Sequence, residues 1–289
     1  MQSTNTGDFP YTLTRQGVIM TPEPGNELEA EGVLNPATGH TPDGALYLLP
    51  RVVASGNVSR VGLGRVVITD GVPTGVEREG IVLEPDRGWE RGVGNSGVED
   101  PRVTFIERLG LHVMTYVAYG PLGPRTAVAV SSDLRSWKRL GPALFEYDDA
   151  LDMDLNLFHN KDTVFFPEPV TSPSGVESFA VLHRPMWDLG ETKAGQGVRV
   201  PAGVTDERQS IWIAYVPVAL VETDIRNLVH WARTVCSRSR SSPSRSSRSA
   251  ADRHPCVLRK AGCCCTTVSP ERSRALLTSS RRSTTRRAE

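Results

Sequence analysis

The feature that most constrains the fold is a series of short segments rich in Val, Ile and Tyr, each bounded by Gly, Pro, Asp or Asn. Segments of this composition between turn residues are typical of β-strands. The sequence contains no convincing amphipathic helix to alternate with them. An all-β fold is therefore predicted: a sandwich, a barrel or a propeller. The predicted strands are 45–54, 61–71, 80–85, 102–107, 111–120, 125–132, 162–170, 177–185 and 210–218.

One repeated pattern favours the propeller. Residues 103–142 hold three strands and the start of a fourth in about 40 residues, the length of a propeller blade. The segment closes with "SSDLRSW", which resembles the aspartate-plus-tryptophan corner in the propeller blades of sugar enzymes. A weaker copy follows over 210–231, with Asp224 and Trp231. The simpler alternative is that Trp137 is only a core residue.

Charge divides the chain into two parts. The sequence has 33 basic and 33 acidic residues, but those from Arg233 onward carry a net charge of +11 and the first 232 residues carry −11. All five cysteines lie in the basic part, at Cys236, Cys256 and 263–265. We therefore predict a folded domain over 1–231 and a disordered tail over 232–289.

The first part contains no cysteine, which suits a cytoplasmic protein. The N-terminus has no basic segment followed by an apolar one, and no apolar run is long enough to cross a membrane. The sequence therefore predicts a cytoplasmic location without membrane association.

Six motifs carry a family resemblance. In the order and at roughly the spacing seen here, they are similar to those of glycoside hydrolase family 130, which comprises β-mannoside phosphorylases and related mannosidases. The resemblance spans about 10–231 and implies a five-bladed β-propeller, of which this chain would hold about three and a half blades. The motifs are "LNPAT" (34–38), "YLLPRVV" (47–53), "GVEDPRVT" (97–104), "GPRTAVAVSSDLRSW" (123–137), "NKDTVFFPE" (160–168) and "LHRP" (182–185).

Adjacent carboxylates in the third motif are the candidate catalytic groups. The resemblance implies that Asp100 is the proton donor and that Glu99 positions it. Neighbours on an extended strand point to opposite faces, so both carboxylates could not serve one site directly. Pro101 favours an extended conformation for Asp100. The alternative is that both are turn carboxylates at a strand entrance.

A lone acid suits phosphorolysis better than hydrolysis. An inverting glycosidase needs an acid for the leaving oxygen and a second carboxylate to activate water. Phosphate is already an anionic nucleophile, so it needs cations to hold it rather than a base. The resemblance assigns phosphate binding to Arg125 and Lys161, and Arg in particular can bond two phosphate oxygens at once.

Further contacts to the sugar or to phosphate are implied by the same resemblance. The alternative for each of these residues is a solvated charge at a strand end. The reaction needs no cofactor and no metal, and its partners are a small oligosaccharide and phosphate as co-substrate, without nucleic acid; a homo-oligomer is left open. The substrate-binding candidates are Asn35, Arg51, Glu99, Arg102, His183 and Arg184.

The tail is predicted to result from a reading-frame slip near 232–233. Relatives continue with a Gly-Gly-Gly run, a Pro-rich stretch and "Trp-Leu-Leu-x-Tyr/His-His-Gly". Read one base out of register, Cys264 and Cys265 each require a leucine codon and Thr266 becomes His or Tyr. The sequence at 250–252 permits three glycines. Two alternatives for the tail are RNA binding and a zinc site, but adjacent cysteines cannot all point at one tetrahedral ion.

Three functions remain open. The first is a phosphorylase that cleaves β-mannosides with inversion and releases α-mannose 1-phosphate. The second is a β-mannosidase of the same fold that uses water. The third is an inactive remnant, because the predicted chain lacks the Tyr/His-His-Gly histidine, most of a fourth blade and a fifth blade, and would expose sheet edges.

Overall fold

A computed structural model describes residues 14–92, 94–149, 152–187, 200–204 and 208–236. These residues form 14 strands, one α-helix of six residues and four short 3-10 turns. Within this part of the chain, no helix has the length and apolar character needed to span a bilayer. The predicted tail lies outside the described residues, except for its first few positions.

The first four strands form one antiparallel unit in sequence order, which we call blade 1. Its last strand is largely exposed, whereas the second and third consist mostly of buried and half-buried positions. The strands are β1 (Gly32–His40), β2 (Leu46–Ala54), β3 (Val58–Thr69) and β4 (Val72–Leu83).

Blade 2 repeats the same up-and-down order. A short parallel contact between β3 and the first strand of blade 2 joins the two blades into a single eight-stranded sheet. Gly97 allows this contact, since a Cβ there would lie 2.3 Å from the Ser59 carbonyl oxygen. The strands are β5 (Ser96–Ile106), β6 (Leu111–Gly120), β7 (Gly123–Ser131) and β8 (Lys138–Pro142).

Blade 3 is again a four-stranded antiparallel unit, with two short additions at its edges. Its main strands are β10 (His159–Phe165), β12 (Glu177–Met186), β13 (Trp212–Pro217) and β14 (His230–Cys236). The additions are β9 (Leu144–Phe145), which pairs parallel to β14, and β11 (Val170–Thr171), which pairs with β12. Helix α1 (Val218–Thr223) follows β13 in the connection between β13 and β14.

Two apolar clusters cover the two faces of blade 2. Met114 and Tyr116 belong to a cluster shared with blade 1, whereas Val113 and Val128 belong to a cluster shared with blade 3. The alternation of a β-strand sends neighbouring side chains to opposite faces, so β6 can be buried on both sides. Blade 2 is therefore the central layer of the described structure.

The aspartate–tryptophan corner occurs twice with the same geometry. Asp133 accepts a hydrogen bond from the backbone N–H two residues later at 2.8 Å, and the Trp137 indole donates to the Leu134 carbonyl at 2.8 Å. In blade 3, Asp224 does the same at 2.9 Å and Trp231 donates to Leu228 at 2.8 Å. The repeated corner marks the two segments as equivalent blade ends.

The predicted all-β fold of propeller type is confirmed. Three blades with successive antiparallel strands are complete, and their first strands β1, β5 and β10 pack near one another. Any further strand of the predicted three and a half blades lies outside the described residues.

Candidate active site

The first strand of each blade carries a β-bulge at the same place. The pairing register shifts between Leu34 and Ala37 in β1, between Glu99 and Arg102 in β5, and between Lys161 and Val164 in β10. Each bulge contains one polar residue in the left-handed region. These are Asn35 (φ 44°), Asp100 (φ 46°) and Asp162 (φ 56°). Asn and Asp tolerate this conformation better than bulkier residues do.

The bulge in β5 overturns the expectation that Glu99 and Asp100 point to opposite faces. A bulge places two residues opposite one and interrupts the alternation of side chains. Asp100 is not extended, although Pro101 follows it. As a result, both carboxylates reach one guanidinium: Arg51 donates to Glu99 at 2.7 Å and to Asp100 at 3.2 Å.

Asp100 lies in a shallow depression beside the bulges of β5 and β10. Its Oδ1 also accepts a hydrogen bond from the Asn35 amide at 2.8 Å, so two residues of blade 1 hold this carboxylate of blade 2. Its side chain is 22% exposed. Residues lining the depression are Asp100, Thr115, Tyr116, Val117, Thr126, Asp162 and Thr163.

Glu99 is the more buried of the two carboxylates, with 14% of its side chain exposed. Burial raises its pKa above the ordinary value, although the charges of Arg51 and Lys161 oppose the effect. Arg51 is itself fixed, because Nε donates to Ser59 at 2.9 Å and Nη2 to Asn57 at 3.1 Å. Glu99 therefore holds Arg51, which in turn contacts Asp100.

Blade 3 contributes a second carboxylate and further cations. Asp162 accepts from Arg102 on one oxygen at 3.1 Å and from Arg184 on the other at 2.6 Å. Lys161, the residue before it, lies close enough to Glu99 to act on its pKa. Four cationic side chains thus contact or act on the carboxylates of this region: Arg51, Arg102, Lys161 and Arg184.

Arg125 occupies a different position from the other cations. Its Nη1 donates to the backbone carbonyls of Asn156 at 2.7 Å and Phe158 at 2.5 Å. Burial lowers its pKa from the ordinary value. It lines a neighbouring cavity of about 420 Å³, together with Trp89 and Asn160, and only Thr126 lines both spaces. The structure therefore does not bring Arg125 into contact with Asp100.

His183 is not where a sugar contact requires it. The side chain is fully buried, between the rings of Phe145 and Trp231, and one ring nitrogen meets the Asn160 amide at 3.0 Å. Burial lowers its pKa to about 3, so the imidazole is neutral. The expectation of direct substrate binding by His183 is corrected accordingly: it is a core residue beneath the site.

Sequence reasoning missed Asp162 as a site residue and Ser59 and Asn57 as supports of Arg51. A signal for Asp162 was present, because "EDP" (99–101) in β5 and "KDT" (161–163) in β10 place an aspartate at equivalent positions. Ser59 and Asn57 gave no such signal, since their contact with Arg51 arises from the pairing of β2 with β3. Within the described residues, no group of three or more His, Cys, Asp or Glu side chains is arranged to hold a metal ion.

The sequence matches a protein-family model over most of the three blades. The model, described as beta-1,4-mannooligosaccharide phosphorylase, matches residues 26–185, more than half of the chain. The chain belongs to glycoside hydrolase family 130. The matched segment includes Asn35, both carboxylates of β5, and Asp162. No curated protein sequence gives a significant match.

Several solved structures are similar to this member of family 130. A glycosyl hydrolase from Bacteroides ovatus is 20% identical, with 75% of this chain and 58% of that chain covered and a TM-score of 0.45. The β-1,2-mannobiose phosphorylase from Listeria innocua is 17% identical, with 71% and 58% covered and a TM-score of 0.45. A family 130 glycoside hydrolase that targets β-1,2-mannosidic linkages in Candida mannan is 20% identical, with 71% of each chain covered and a TM-score of 0.41. The chain spans little more than half the length of the first two.

Proposed function

We propose that the protein derives from an inverting β-mannoside phosphorylase that uses inorganic phosphate and releases α-mannose 1-phosphate. The observation that supports this most is the set of charged side chains around Asp100 and Asp162. Asp100 is a partly exposed carboxylate, and four cationic side chains contact or act on it and the neighbouring carboxylates Glu99 and Asp162. Both oxygens of the other carboxylate there, Asp162, already accept hydrogen bonds from arginines, so it is poorly suited to activate water.

In this mechanism the attacking atom is a phosphate oxygen. It forms a bond to the anomeric carbon as the glycosidic C–O bond breaks, on the opposite face of the sugar. The leaving oxygen receives a proton that originates on Asp100, passed through a sugar hydroxyl as a relay, as the family resemblance implies. Cations offset the negative charge of phosphate and hold it in line, which makes attack effectively intramolecular.

Binding roles follow from position. We assign Lys161, Arg102 and Arg184 to the phosphate side, because Lys161 and Arg102 flank the bulges of β10 and β5 and Arg184 pairs with Lys161 from β12. Arg51 and Asn35 hold Asp100 directly, with Glu99 supporting Arg51. Arg125 keeps its proposed phosphate role only if phosphate reaches the neighbouring cavity. No cofactor beyond phosphate is needed, and a cytoplasmic location fits the absence of cysteine before Cys236.

Hydrolysis is the second candidate, and Asp162 is the observation that favours it. A hydrolase requires a second carboxylate in the same site, and Asp162 lines the same depression as Asp100. The two reactions are separated by incubating the frame-corrected protein with β-1,2- and β-1,4-mannobiose, with and without phosphate. Phosphorolysis predicts turnover only with phosphate and a mannose 1-phosphate product; equal turnover in its absence would establish hydrolysis.

We also propose that the segment from about 232 is read out of frame and that the present chain has little activity. Residues 232–236 continue strand β14, and the rest of the tail lies outside the described residues. Sequencing the gene decides the first point: the adjacent frame should read Leu-Leu-His/Tyr-His-Gly at 264–268. Comparing the present chain with the frame-corrected chain decides the second, and equal activity of the two would refute it.

A further inference from the structure

Asp162 connects two blades through their arginines. Its Oδ1 accepts from Arg102 Nη2 at 3.1 Å, and its Oδ2 accepts from Arg184 Nε and Nη2 at 2.6 Å. Arg102 belongs to β5 of blade 2, whereas Arg184 lies on β12 of blade 3, directly opposite Lys161. One carboxylate therefore holds two guanidiniums that come from different sheets.

Without that carboxylate, the two guanidiniums would not remain together. The two positively charged guanidiniums repel each other, and each long side chain has about 2 kcal/mol of rotamer entropy that favours dispersal into solvent. Arg102 also retains donor capacity for a ligand: among the described residues, no acceptor contacts its Nε or Nη1. Arg184 donates to Asp162 through Nε and Nη2 and to Gln209 through Nη1, so only the second hydrogens of its two terminal nitrogens remain for a ligand. Together with the uncontacted Nε and Nη1 of Arg102, these N–H groups match the geometry that binds phosphate oxygens in pairs.

The bulge explains how the strand presents this carboxylate. Asp162 takes the left-handed conformation at the position that Asp100 occupies one blade earlier. The same backbone feature thus delivers an acid in blade 2 and a holder of arginines in blade 3. A turn carboxylate without a function would not need an arginine on each oxygen.

We propose that Asp162 is a positioning residue that holds Arg102 and Arg184 as a paired donor site for inorganic phosphate. This inference rests on the proposed function. It assigns no proton transfer to Asp162. The negative charge of Asp162 does not make the site repel anions, because four cations (Arg51, Arg102, Lys161 and Arg184) contact or act on the three carboxylates there.

The test is calorimetric titration of inorganic phosphate into the full 289-residue protein and its variants. Asp162→Asn keeps the size of the side chain but can hold only one arginine through its remaining oxygen. Asp162→Glu retains the charge one methylene further out. Asp86→Asn is the matched control, because Asp86 also contacts two arginines, Arg139 at 3.0 Å and Arg87 at 3.6 Å, away from the depression.

We expect the phosphate dissociation constant to rise about tenfold in Asp162→Asn, to rise less in Asp162→Glu, and to change less than about twofold in Asp86→Asn. Unchanged or tighter phosphate binding by Asp162→Asn overturns the inference while leaving the proposed function intact. If neither the wild-type protein nor its frame-corrected form binds phosphate, the proposed function fails as well.

A second titration, with mannose, separates positioning from direct sugar contact. Lost mannose affinity with unchanged phosphate affinity would make Asp162 a sugar ligand and contradict the proposal. Thermal unfolding followed by circular dichroism shows whether each variant is folded. If Asp162→Asn does not fold, Asp162→Glu decides alone, and wild-type phosphate affinity in that variant overturns the inference.

Discussion

Arg51 is the residue on which the geometry of Asp100 depends most. It contacts both adjacent carboxylates and is itself held by Ser59 and Asn57. Asn35 fixes the same oxygen of Asp100 from blade 1. The acid is therefore oriented before substrate arrives, which reduces the cost of reaching the reactive geometry.

Replacing the acid should abolish most of the turnover. In the frame-corrected protein, Asp100→Asn keeps the size of the side chain and the oxygen that accepts from Arg51 and Asn35, but it removes the transferable proton. General acids typically contribute 10²–10⁴-fold, so we expect kcat to fall by at least about 100-fold. Phosphate-dependent release of mannose 1-phosphate is the measurement, with Asp86→Asn as control. Retention of wild-type kcat would show that another group donates the proton.

His183 should make stability depend on pH. Its pKa is about 3 in the fold because the ring is buried, against 6.5 as the ordinary value. Between these values the unfolded chain binds a proton that the folded protein does not, so stability falls as pH decreases below 6.5. The expected loss is about 1.4 kcal/mol per pH unit from this residue.

Urea unfolding at pH 7 and pH 5 measures this effect. The His183→Gln variant retains an acceptor for Asn160 but cannot titrate, so its stability should decline less than that of the wild type. Parallel declines in the two proteins would show that His183 is not protonated on unfolding in this range.

The sequence indicated most residues of the site but not their arrangement. Motif resemblance pointed to Asp100, Arg51 and Lys161, which the structure places near one another. It could not reveal that Glu99 and Asp100 share a guanidinium, because a bulge is a property of strand pairing rather than of local sequence. His183 follows the same logic: its burial depends on Phe145 and Trp231, which are distant in sequence.

At the scale of elements, strand prediction succeeded where side chains alternate and failed where polar residues dominate. β6 and β12 were predicted almost to their ends, because both are rich in apolar residues. β1 was missed, since Pro36 and two glycines interrupt it, and most of β4 was missed because it is an exposed strand with charged side chains. Pairing with a neighbour rather than intrinsic preference makes these segments extended.

Gly97 should be intolerant of any side chain. It has φ 130°, and a Cβ would lie 2.3 Å from the Ser59 carbonyl oxygen and 2.7 Å from its nitrogen. We expect Gly97→Ala to destabilise the protein by about 1–3 kcal/mol or more, because backbone must move. Gly75→Ala is the control, since no atom lies within 4 Å of the Cβ position there. Equal midpoints in denaturant for the two variants would contradict the close approach of β3 and β5.

At the scale of the whole molecule, blade 2 is buried between two neighbours, whereas one face of blade 3 is less protected. Met114 is fully buried in the cluster shared with blade 1. Ile213, on the face of β13 opposite to Trp212, is only half-buried. The stability of the described structure therefore depends most on the central blade.

A pair of truncations tests this layered arrangement. Met114→Ala should cost about 2–5 kcal/mol, as expected for a large side chain removed from a core. Ile213→Ala should cost less, because its side chain already contacts solvent. Free energies of unfolding from denaturant titrations compare the two. A larger loss for Ile213→Ala would indicate that the outer face of blade 3 is covered in solution.

The left-handed bulge at Asn35, Asp100 and Asp162 separates chemistry from folding. Each of the three blades offers one socket whose backbone is already shaped for a short polar side chain, and whose occupant contributes little to either apolar cluster. An ancestral protein could therefore exchange an amide for a carboxylate in one socket without rebuilding a sheet. Such a scaffold can diversify its reactions by single substitutions at these three positions.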